Sequence, residues 1–431
     1  MTRTPERFGA GERVGRIHSV GRGDGFVRAI AVAGVALAIL AGLPLSPTGA
    51  QDPTVKVGAD AVLADGCALA GRRIGLVTHY AGTTSDGQLT MHALARGEGV
   101  EIGALFAPEH GIDGSYDAGA WVRTVSRGDT PVYSLYGGVF QPTRRMLSRV
   151  DTLVVDLQDA GVRPFTYAST MALVMRAAAD SGKPVVILDR PNPLGGLIVD
   201  GPVLEPPLSS FIGLYPIPYV HGMTLGELAT LYNRAFGINA RLTVVRMQGW
   251  ERPMIWADTG LPWAAPSPGL IDPDIAPYYA ATGPFEGTNV WNGVATDSRF
   301  RVALAPWIDA PRLAERLNRY NLPGVRFSPS AVPYPHNGEV YQGVRLHVTD
   351  PRVFRPSTTS VYILAEIRRM HGDKFRFRLS RRAPHLFDLI WGTRQVRLAL
   401  QRGEPAEKIV KAWQPGLTRF MRLRRQHLLY E

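Results

Sequence analysis

Short apolar runs alternate with amphipathic segments through the first half of the chain. The apolar runs have the length of strands that are buried on both faces, and the segments between them repeat apolar residues at helical spacing. This alternation is typical of a parallel sheet covered by helices. The predicted strands are 73–79, 101–107, 152–158, 184–190 and 241–247, and the predicted helices are 89–98, 143–149, 167–181 and 224–236.

The pattern changes after residue 249. Long loops come first, and from about residue 311 short strands alternate with helices, among them a predicted strand at 343–350. This arrangement indicates a smaller α+β domain. A chain of 431 residues also exceeds a typical single domain. We therefore predict a leader at 1–50, a first domain at 51–310 and a C-terminal auxiliary domain at 311–431.

Residues 1–50 have the three parts of a secretory signal. A region with arginines is followed by an apolar run at 29–43 and a small-residue end at Ala50. The apolar run is shorter than the roughly 20 residues that span a bilayer. We expect cleavage after Ala50 and export to the periplasm or the cell exterior, and the alternative is an uncleaved anchor. Cys67 is the only cysteine, so no intramolecular disulfide is expected.

The basic charge of the chain is concentrated near its C-terminus. The formal net charge is +11, and residues 368–431 contain 16 basic and five acidic residues. In an exported protein, such a segment favours an anionic envelope polymer or membrane surface over nucleic acid as a partner. The alternative is a basic face that is merely solvated.

Polar side chains cluster where the predicted strands end. Because the carboxyl ends of parallel strands meet at one edge of a sheet, these residues predict a single cleft lined by several loops. The clustered residues are His79, Glu109, His110, Gln158, Asp159, Arg163, Asp189, Arg190 and Asn192.

The segment LFAPEHGIDG (105–114) is the strongest candidate for chemistry. Pro108 cannot continue a central strand, so Glu109 and His110 fall at the carboxyl end of the strand 101–107. The glycines that follow allow a sharp turn. A glutamic acid in a partly dry cleft holds its proton closer to neutral pH, and a neighbouring histidine can orient it. This pair predicts a general acid; the alternative is a cap and a packed polar residue.

Several common motifs are missing from the sequence. No GxGxxG or GxxxxGK[ST] opens a helix, and neither GxSxG nor HExxH occurs, so we expect no cofactor. A metal-assisted hydrolase stays open as an alternative, although the spacing of its ligands is not diagnostic and we expect no metal. Its candidate ligands are His79, His110, Asp156 and Asp189.

Longer motifs follow in order along nearly all of the mature chain. They are LFAPEHGIDG (105–114), VYSLYG (132–137), DLQDAGVRPFTY (156–167), LDRPNPLGG (188–196), HGMTLGELA (221–229), WxxPSP (263–268), EGTN (286–289) and APWIDA (305–310). In these motifs the chain resembles the exo-β-N-acetylmuramidase family typified by NamZ. The resemblance implies an α/β fold: a Rossmann-like catalytic domain with a mostly parallel sheet, plus a smaller C-terminal α+β domain. It also implies removal of N-acetylmuramic acid from the non-reducing end of peptidoglycan fragments (muropeptides).

The resemblance also implies roles for individual residues. The family's catalytic glutamate and assisting histidine lie in the PEHG motif, which carries over to Glu109 and His110. The substrate contacts that we predict are Gln158, Asp159, Arg163, Tyr167, Arg190, Asn192, His221, Glu286 and Asn289. The second catalytic group stays open between the substrate's own 2-acetamido group and the carboxylates of Asp156, Asp159, Asp189 and Glu286.

Two positions depart from the family's pattern. Gly269 stands where the family usually has asparagine, and Val294 stands where it usually has arginine. Amides and guanidiniums make directional bonds to hydroxyls and carboxylates, so their loss predicts an altered or weakened substrate contact. A non-catalytic muropeptide-binding envelope protein therefore stays open as an alternative.

Overall fold

A computed structural model describes residues 55–65, 69–97, 99–378 and 384–431. The predicted leader and Cys67 lie outside these residues. In chain order the helices and strands are α1 (Gly58–Asp65), β1 (Arg72–Thr78), α2 (Thr90–Arg96), β2 (Val100–Ala107), β3 (Val125–Arg127), β4 (Thr130–Ser134), α3 (Arg144–Leu147), β5 (Thr152–Asp156), α4 (Tyr167–Asp180), β6 (Pro184–Leu188), β7 (Asp200–Val203), β8 (Pro218–Val220), α5 (Leu225–Ala235), β9 (Arg241–Val245), α6 (Ala276–Thr282), β10 (Val302–Ala305), α7 (Ala310–Arg319), β11 (Val325–Pro333), β12 (Val340–Val348), α8 (Pro356–His371), α9 (Leu386–Trp391), α10 (Gln395–Gln401) and α11 (Ala406–Arg424).

The largest sheet has the strand order β3-β4-β2-β1-β5-β6-β9. All neighbouring pairs are parallel except β3 with β4 at one edge. The parallel strands therefore follow the Rossmann order, in which the chain first builds outward from β1 to β4 and then crosses to β5. The predicted α/β fold class is confirmed. The order reverses between β1 and β5, and ligands of such sheets bind at this switch point.

The strands of this sheet form because their apolar runs are buried on both faces. Every residue of β5 is buried, as are the last five residues of β1. As predicted, β2 ends at Ala107, directly before Pro108. The predicted helices that cover the sheet are also present, with ends that differ by a few residues. At the start of α5, Thr224 and Glu227 form the reciprocal bonds of a capping box.

A smaller antiparallel sheet has the order β10-β12-β11. Helices α7 and α8 belong to the same part of the chain, which fits the predicted α+β composition. Strand β10 precedes residue 311, so this sheet begins before our predicted domain boundary. The division of the chain at residue 310 stays a prediction.

The C-terminal residues return to the main sheet. The Tyr430 hydroxyl donates to Asp189 Oδ2 (2.6 Å), just beyond β6, and the Arg252 backbone N–H donates to the carbonyl of Glu431 (2.7 Å). The end of the chain thus supports the loops that follow β6 and β9. Among the helices that the structure describes, none is long and apolar enough to cross a membrane.

Candidate active site

Glu109 lies just beyond β2, next to the switch point of the main sheet. Its Oε1 accepts a hydrogen bond from the Gly119 N–H (2.8 Å), and its Oε2 accepts one from the Thr166 hydroxyl (2.7 Å). Burial raises the pKa of the Tyr136 phenol, and the charge of Glu109 and a hydrogen bond to it raise that pKa further. Donors from three loops therefore hold the Glu109 carboxylate, which is 9% exposed.

The two oxygens of Glu109 differ in what they can do. A backbone N–H only donates, so Oε1, which faces Gly119, must stay an acceptor. The Thr166 hydroxyl both donates and accepts, so Oε2 can carry a proton directed at Thr166 Oγ1 without leaving either group unpaired. The site therefore accommodates the ionised and the protonated carboxyl group, as a residue that gives and regains a proton requires.

His110 takes a left-handed backbone conformation (φ 71°), which is uncommon outside glycine. Gly111 (φ 78°) and Gly114 (φ 73°) share this conformation, so the predicted sharp turn after β2 is confirmed. A Cβ on Gly114 would collide with the Tyr80 ring, so this position requires glycine. His110 Nδ1 lies 2.9 Å from the carbonyl oxygen of Tyr116. The neutral ring therefore carries its proton on Nδ1 and leaves Nε2 as an acceptor.

Glu286 approaches the same site from a 3-10 helix at Gly283–Gly287. Its side chain is exposed to solvent. Nevertheless, burial among protein atoms raises the pKa of Glu286; Arg378 lowers it and Glu109 raises it further. A carboxylate that is exposed to solvent and also surrounded by protein atoms lies in a concave site. Burial also raises the pKa of Tyr279, and the charges of Glu286 and Glu109 contribute, so this phenol lies near both acids.

Asp156 and Asp189 are held in buried networks. Arg190 Nε and Nη2 donate to the two oxygens of Asp156 (2.5 and 3.1 Å). Asp189 Oδ2 accepts from the hydroxyls of Thr224 (2.7 Å) and Tyr430 (2.6 Å). Burial raises the pKa of Asp189 to about 6, and the bonds from Tyr430 and Thr224 oppose this shift. Neither acid is free to act on a substrate. Arg190 is the ion-pair partner of Asp156, and its contact with substrate stays a prediction.

The residues considered for a metal site do not converge. In the part of the chain that the structure describes, no three His, Cys, Asp or Glu side chains are grouped as metal ligands. The pKa of His79 is lowered well below its usual value by burial, then by the charges of Arg190 and His110. The Gln158 backbone N–H donates to its Nε2 (3.2 Å). His79 thus joins the loops after β1 and β5 as a neutral ring.

Gln158, Asp159 and His221 lie together beyond β5. The Gln158 amide donates to the carbonyls of Asp159 and Pro191 (2.9 Å each). Asp159 Oδ2 accepts from the Gly161 N–H (2.8 Å) and lies 3.3 Å from His221 Nε2, too poorly aligned for a hydrogen bond. Gln158 Oε1 and Asp159 Oδ1 are buried and accept no hydrogen bond from the described residues. Both residues therefore keep unused acceptor capacity near the cleft.

Four other residues that we predict to contact substrate form hydrogen bonds with backbone groups. Arg163 is buried, burial lowers its pKa to about 10, and its guanidinium donates to three backbone carbonyls (2.7–3.2 Å). Asn192 and Asn289 each bond to two backbone groups (2.8–3.0 Å). The Tyr167 hydroxyl lies 2.8 Å from the carbonyl of Pro266 and 3.2 Å from that of Glu109. Arg163, Asn192 and Asn289 therefore stabilise loops, whereas Tyr167 fixes the backbone of Glu109.

An aromatic group beside Glu109 was not predicted. The rings of Tyr136, Phe140 and Phe211 lie 4.6–5.8 Å apart and are half-buried. Because Tyr136 also bonds to Glu109, these rings form a wall next to the carboxylate. The sequence gives no signal for this wall, since Phe211 comes from a distant loop.

The two departures from the family's pattern differ in their surroundings. A Cβ on Gly269 would lie 3.1 Å from the Phe300 ring, so this ring takes much of the space of a larger side chain. Val294 is 42% exposed. Neither position offers a directional polar group, and an effect on substrate choice stays a prediction.

Two family models match this chain. The one described as "Exo-beta-N-acetylmuramidase NamZ, N-terminal" matches residues 74–274, and the one described as "Exo-beta-N-acetylmuramidase NamZ, C-terminal" matches residues 277–430. A curated relative, the peptidoglycan beta-N-acetylmuramidase NamZ of Bacillus subtilis (strain 168), is 41% identical over 387 residues. That match covers 88% of this chain and 92% of the relative.

Two solved structures are also similar. Both are DUF1343 family proteins from Bacteroides fragilis NCTC 9343, and each match covers 88% of this chain and 99% of the other. The first has a TM-score of 0.81 at 35% identity, and the second has a TM-score of 0.69 at 28% identity. The likeness extends over both parts of the fold.

Proposed function

The chain belongs to the exo-β-N-acetylmuramidase family NamZ, and we propose that it releases N-acetylmuramic acid from the non-reducing end of peptidoglycan fragments with Glu109 as general acid. The observation that carries this proposal is the setting of Glu109. It is held just beyond the carboxyl end of β2 by Gly119, Thr166 and Tyr136, through partners that accept either of its protonation states. The adjacent His110 is the assisting residue that we propose.

The reaction breaks the bond between C1 of the sugar and the glycosidic oxygen. With substrate bound, the proton on Glu109 Oε2 turns from Thr166 Oγ1 to that oxygen and is transferred to it, so the aglycone leaves as a neutral alcohol. A water molecule supplies the hydroxyl group that ends on C1, and its proton passes to a carboxylate. When the substrate's 2-acetamido oxygen attacks C1 first, water opens the resulting ring in a second step, and Glu109, which has given up its proton, takes one back from that water.

Glu286 is the carboxylate that we propose to take the proton from water when water attacks C1 directly. Asp156, Asp159 and Asp189 are buried, and Asp156 and Asp189 are bound by arginine or hydroxyl groups. Glu286 is exposed and close enough to Glu109 for their charges to interact. It is therefore the candidate that can meet both the substrate and a water molecule.

We expect Glu286→Gln to lower kcat by about 100-fold, because the amide cannot take the proton from water. Burial raises the pKa of Glu286, so protonation on acidification should remove wild-type activity at a higher pH than an ordinary glutamate would. A pH profile of kcat/KM checks this, since the acidic limb should disappear in the variant. Glu251→Gln, at an exposed glutamate, is the control. An unchanged acidic limb in Glu286→Gln would contradict the role.

Thr166→Val should lower kcat by about 10- to 100-fold with little change in KM. The substitution leaves Glu109 Oε2 without its hydroxyl partner, at a cost of about 1–3 kcal/mol. Steady-state kinetics check this, and Thr166→Ser should restore most of the activity because it keeps the hydroxyl. Equal activity of the valine and serine variants would show that Thr166 does not position the acid.

Product analysis tests the function as a whole. Muropeptides with N-acetylmuramic acid at the non-reducing end should release the free sugar, identified by mass spectrometry, whereas fragments capped by N-acetylglucosamine should not. Binding without release would identify a muropeptide-binding protein instead. Loss of activity on chelation, together with bound metal in elemental analysis, would favour the metal-assisted alternative.

We also propose that the protein acts outside the cytoplasm, where peptidoglycan is found. The sequence of residues 1–50 supports this proposal. N-terminal sequencing of the mature protein should begin at Gln51, and a retained leader would contradict the predicted cleavage.

A further inference from the structure

A groove of about 650 Å³ lies between α11, the start of α8 and the segment that leads into β7. None of the described residues that line it belongs to the candidate active site. Its basic residues are Arg355, Arg422 and Arg425, all of which are exposed. Leu197, which is 53% exposed, and Met421 add apolar surface to the same groove.

Among the residues that the structure describes, these arginines form no ion pair with an acidic side chain, unlike several basic residues nearby. In the C-terminal segment, many basic side chains lie within ion-pair distance of a carboxylate: Arg368, Arg369, Arg397, Arg402 and Lys408. Arg424 is buried and donates to two backbone carbonyls. Within the described ranges, no salt bridge or side-chain hydrogen bond engages Arg355, Arg422 or Arg425.

Asp200 also lines the groove, but its carboxylate is already engaged. It is 3% exposed and accepts bonds from the N–H (2.9 Å) and hydroxyl (3.0 Å) of Thr358 at the start of α8. The Gly201 N–H adds a third bond (2.9 Å). Asp200 therefore satisfies the helix start. Burial raises the pKa of this carboxyl group, and the charge of the nearby Arg355 opposes that shift. With three arginines against one carboxylate, the groove keeps an excess of positive charge. Guanidinium groups are planar forks that bind phosphate oxygens in pairs.

We propose that this groove binds phosphate groups of an extended anionic polymer in which phosphodiesters alternate with short carbon units. A concave site can hold a polymer chain, whereas a flat bilayer surface would contact only the rim of the groove. Leu197 and Met421 suit the carbon units between phosphates. Binding here holds the protein on an envelope polymer while the separate cleft acts on glycosidic bonds. The inference does not depend on the proposed catalytic chemistry.

Calorimetric titration with a synthetic hexamer of sn-glycerol phosphate tests the proposal. The groove variant combines Arg355→Gln, Arg422→Gln and Arg425→Gln. A matched control replaces three exposed arginines near α3 (Arg144, Arg145 and Arg149) with glutamine and so removes the same charge. We expect the groove variant to raise the Kd at least about tenfold and the control to leave it nearly unchanged. Wild-type binding should weaken as salt is added.

Three results would overturn the proposal. An equal loss of affinity in both variants would show that overall charge governs binding. Absence of wild-type binding to the hexamer would show that the groove is not a binding site for this polymer. Co-sedimentation with phosphatidylglycerol vesicles without hexamer binding would show that the surface binds a membrane instead. Circular dichroism and hydrolysis of a chromogenic muramide should be unchanged in the groove variant, which separates this result from a folding or catalytic failure.

Discussion

Glu109→Gln is expected to lower kcat on muropeptides by about 10²–10⁴-fold, the usual contribution of a general acid. Glutamine has nearly the shape of glutamate, and its carbonyl oxygen can still accept from the Gly119 N–H. Its amide cannot give a proton to the leaving oxygen. Steady-state kinetics should therefore show a loss in kcat, and calorimetry should show nearly unchanged substrate affinity.

Glu101→Gln is the matched control for this variant. Glu101 lies on the same strand, β2, near its opposite end, and its side chain is exposed. Its replacement should leave kcat and KM unchanged. Turnover by Glu109→Gln at the wild-type rate would remove Glu109 from the mechanism.

Arg190→Met should lower the free energy of unfolding by about 3–5 kcal/mol, because it leaves the buried Asp156 carboxylate without its partner. Arg190 is 4% exposed, Asp156 is fully buried, and two hydrogen bonds join their side chains. Denaturant titration of the purified variant measures this loss. The effect is large because a buried charge that loses its counter-ion keeps its full desolvation cost.

A double variant separates this structural role from a substrate contact. Adding Asp156→Leu to Arg190→Met removes the orphaned charge and should recover much of the lost stability. If Arg190 instead contacted substrate, the single variant would raise KM and leave the unfolding free energy unchanged. That result would support our prediction from the sequence that Arg190 contacts substrate.

The sequence predicts the main sheet well because each central strand is apolar along its whole length. β5 shows this most clearly, since all of its residues are buried. Edge and short strands lack this signal. All three residues of β3 are exposed, and its sequence VSR has no apolar run that would mark it as a strand. β3 is ordered by its pairing with β4. The same limit applies to the two-stranded sheet of β7 and β8.

The position of Glu109 is predictable from the proline that ends β2, whereas its partners are not. Thr166 and Tyr136 reach the carboxylate from separate loops, and their spacing in sequence carries no information about that contact. The hydrogen bonds that Arg163 makes could not be predicted for a related reason. A position just beyond a strand places a residue near the cleft, but the buried backbone carbonyls that bind its guanidinium come from distant segments.

The dependence of the rate on the leaving group tests the central claim most directly. Wild type and Glu109→Gln should be compared on aryl β-N-acetylmuramides whose phenols differ in acidity, with release of free N-acetylmuramic acid as the readout. If Glu109 protonates the glycosidic oxygen, the variant should be nearly as active as wild type on the most acidic phenol and should lose progressively more activity as the phenol becomes less acidic. An equal loss on every substrate, or no release by the wild type, would contradict the account.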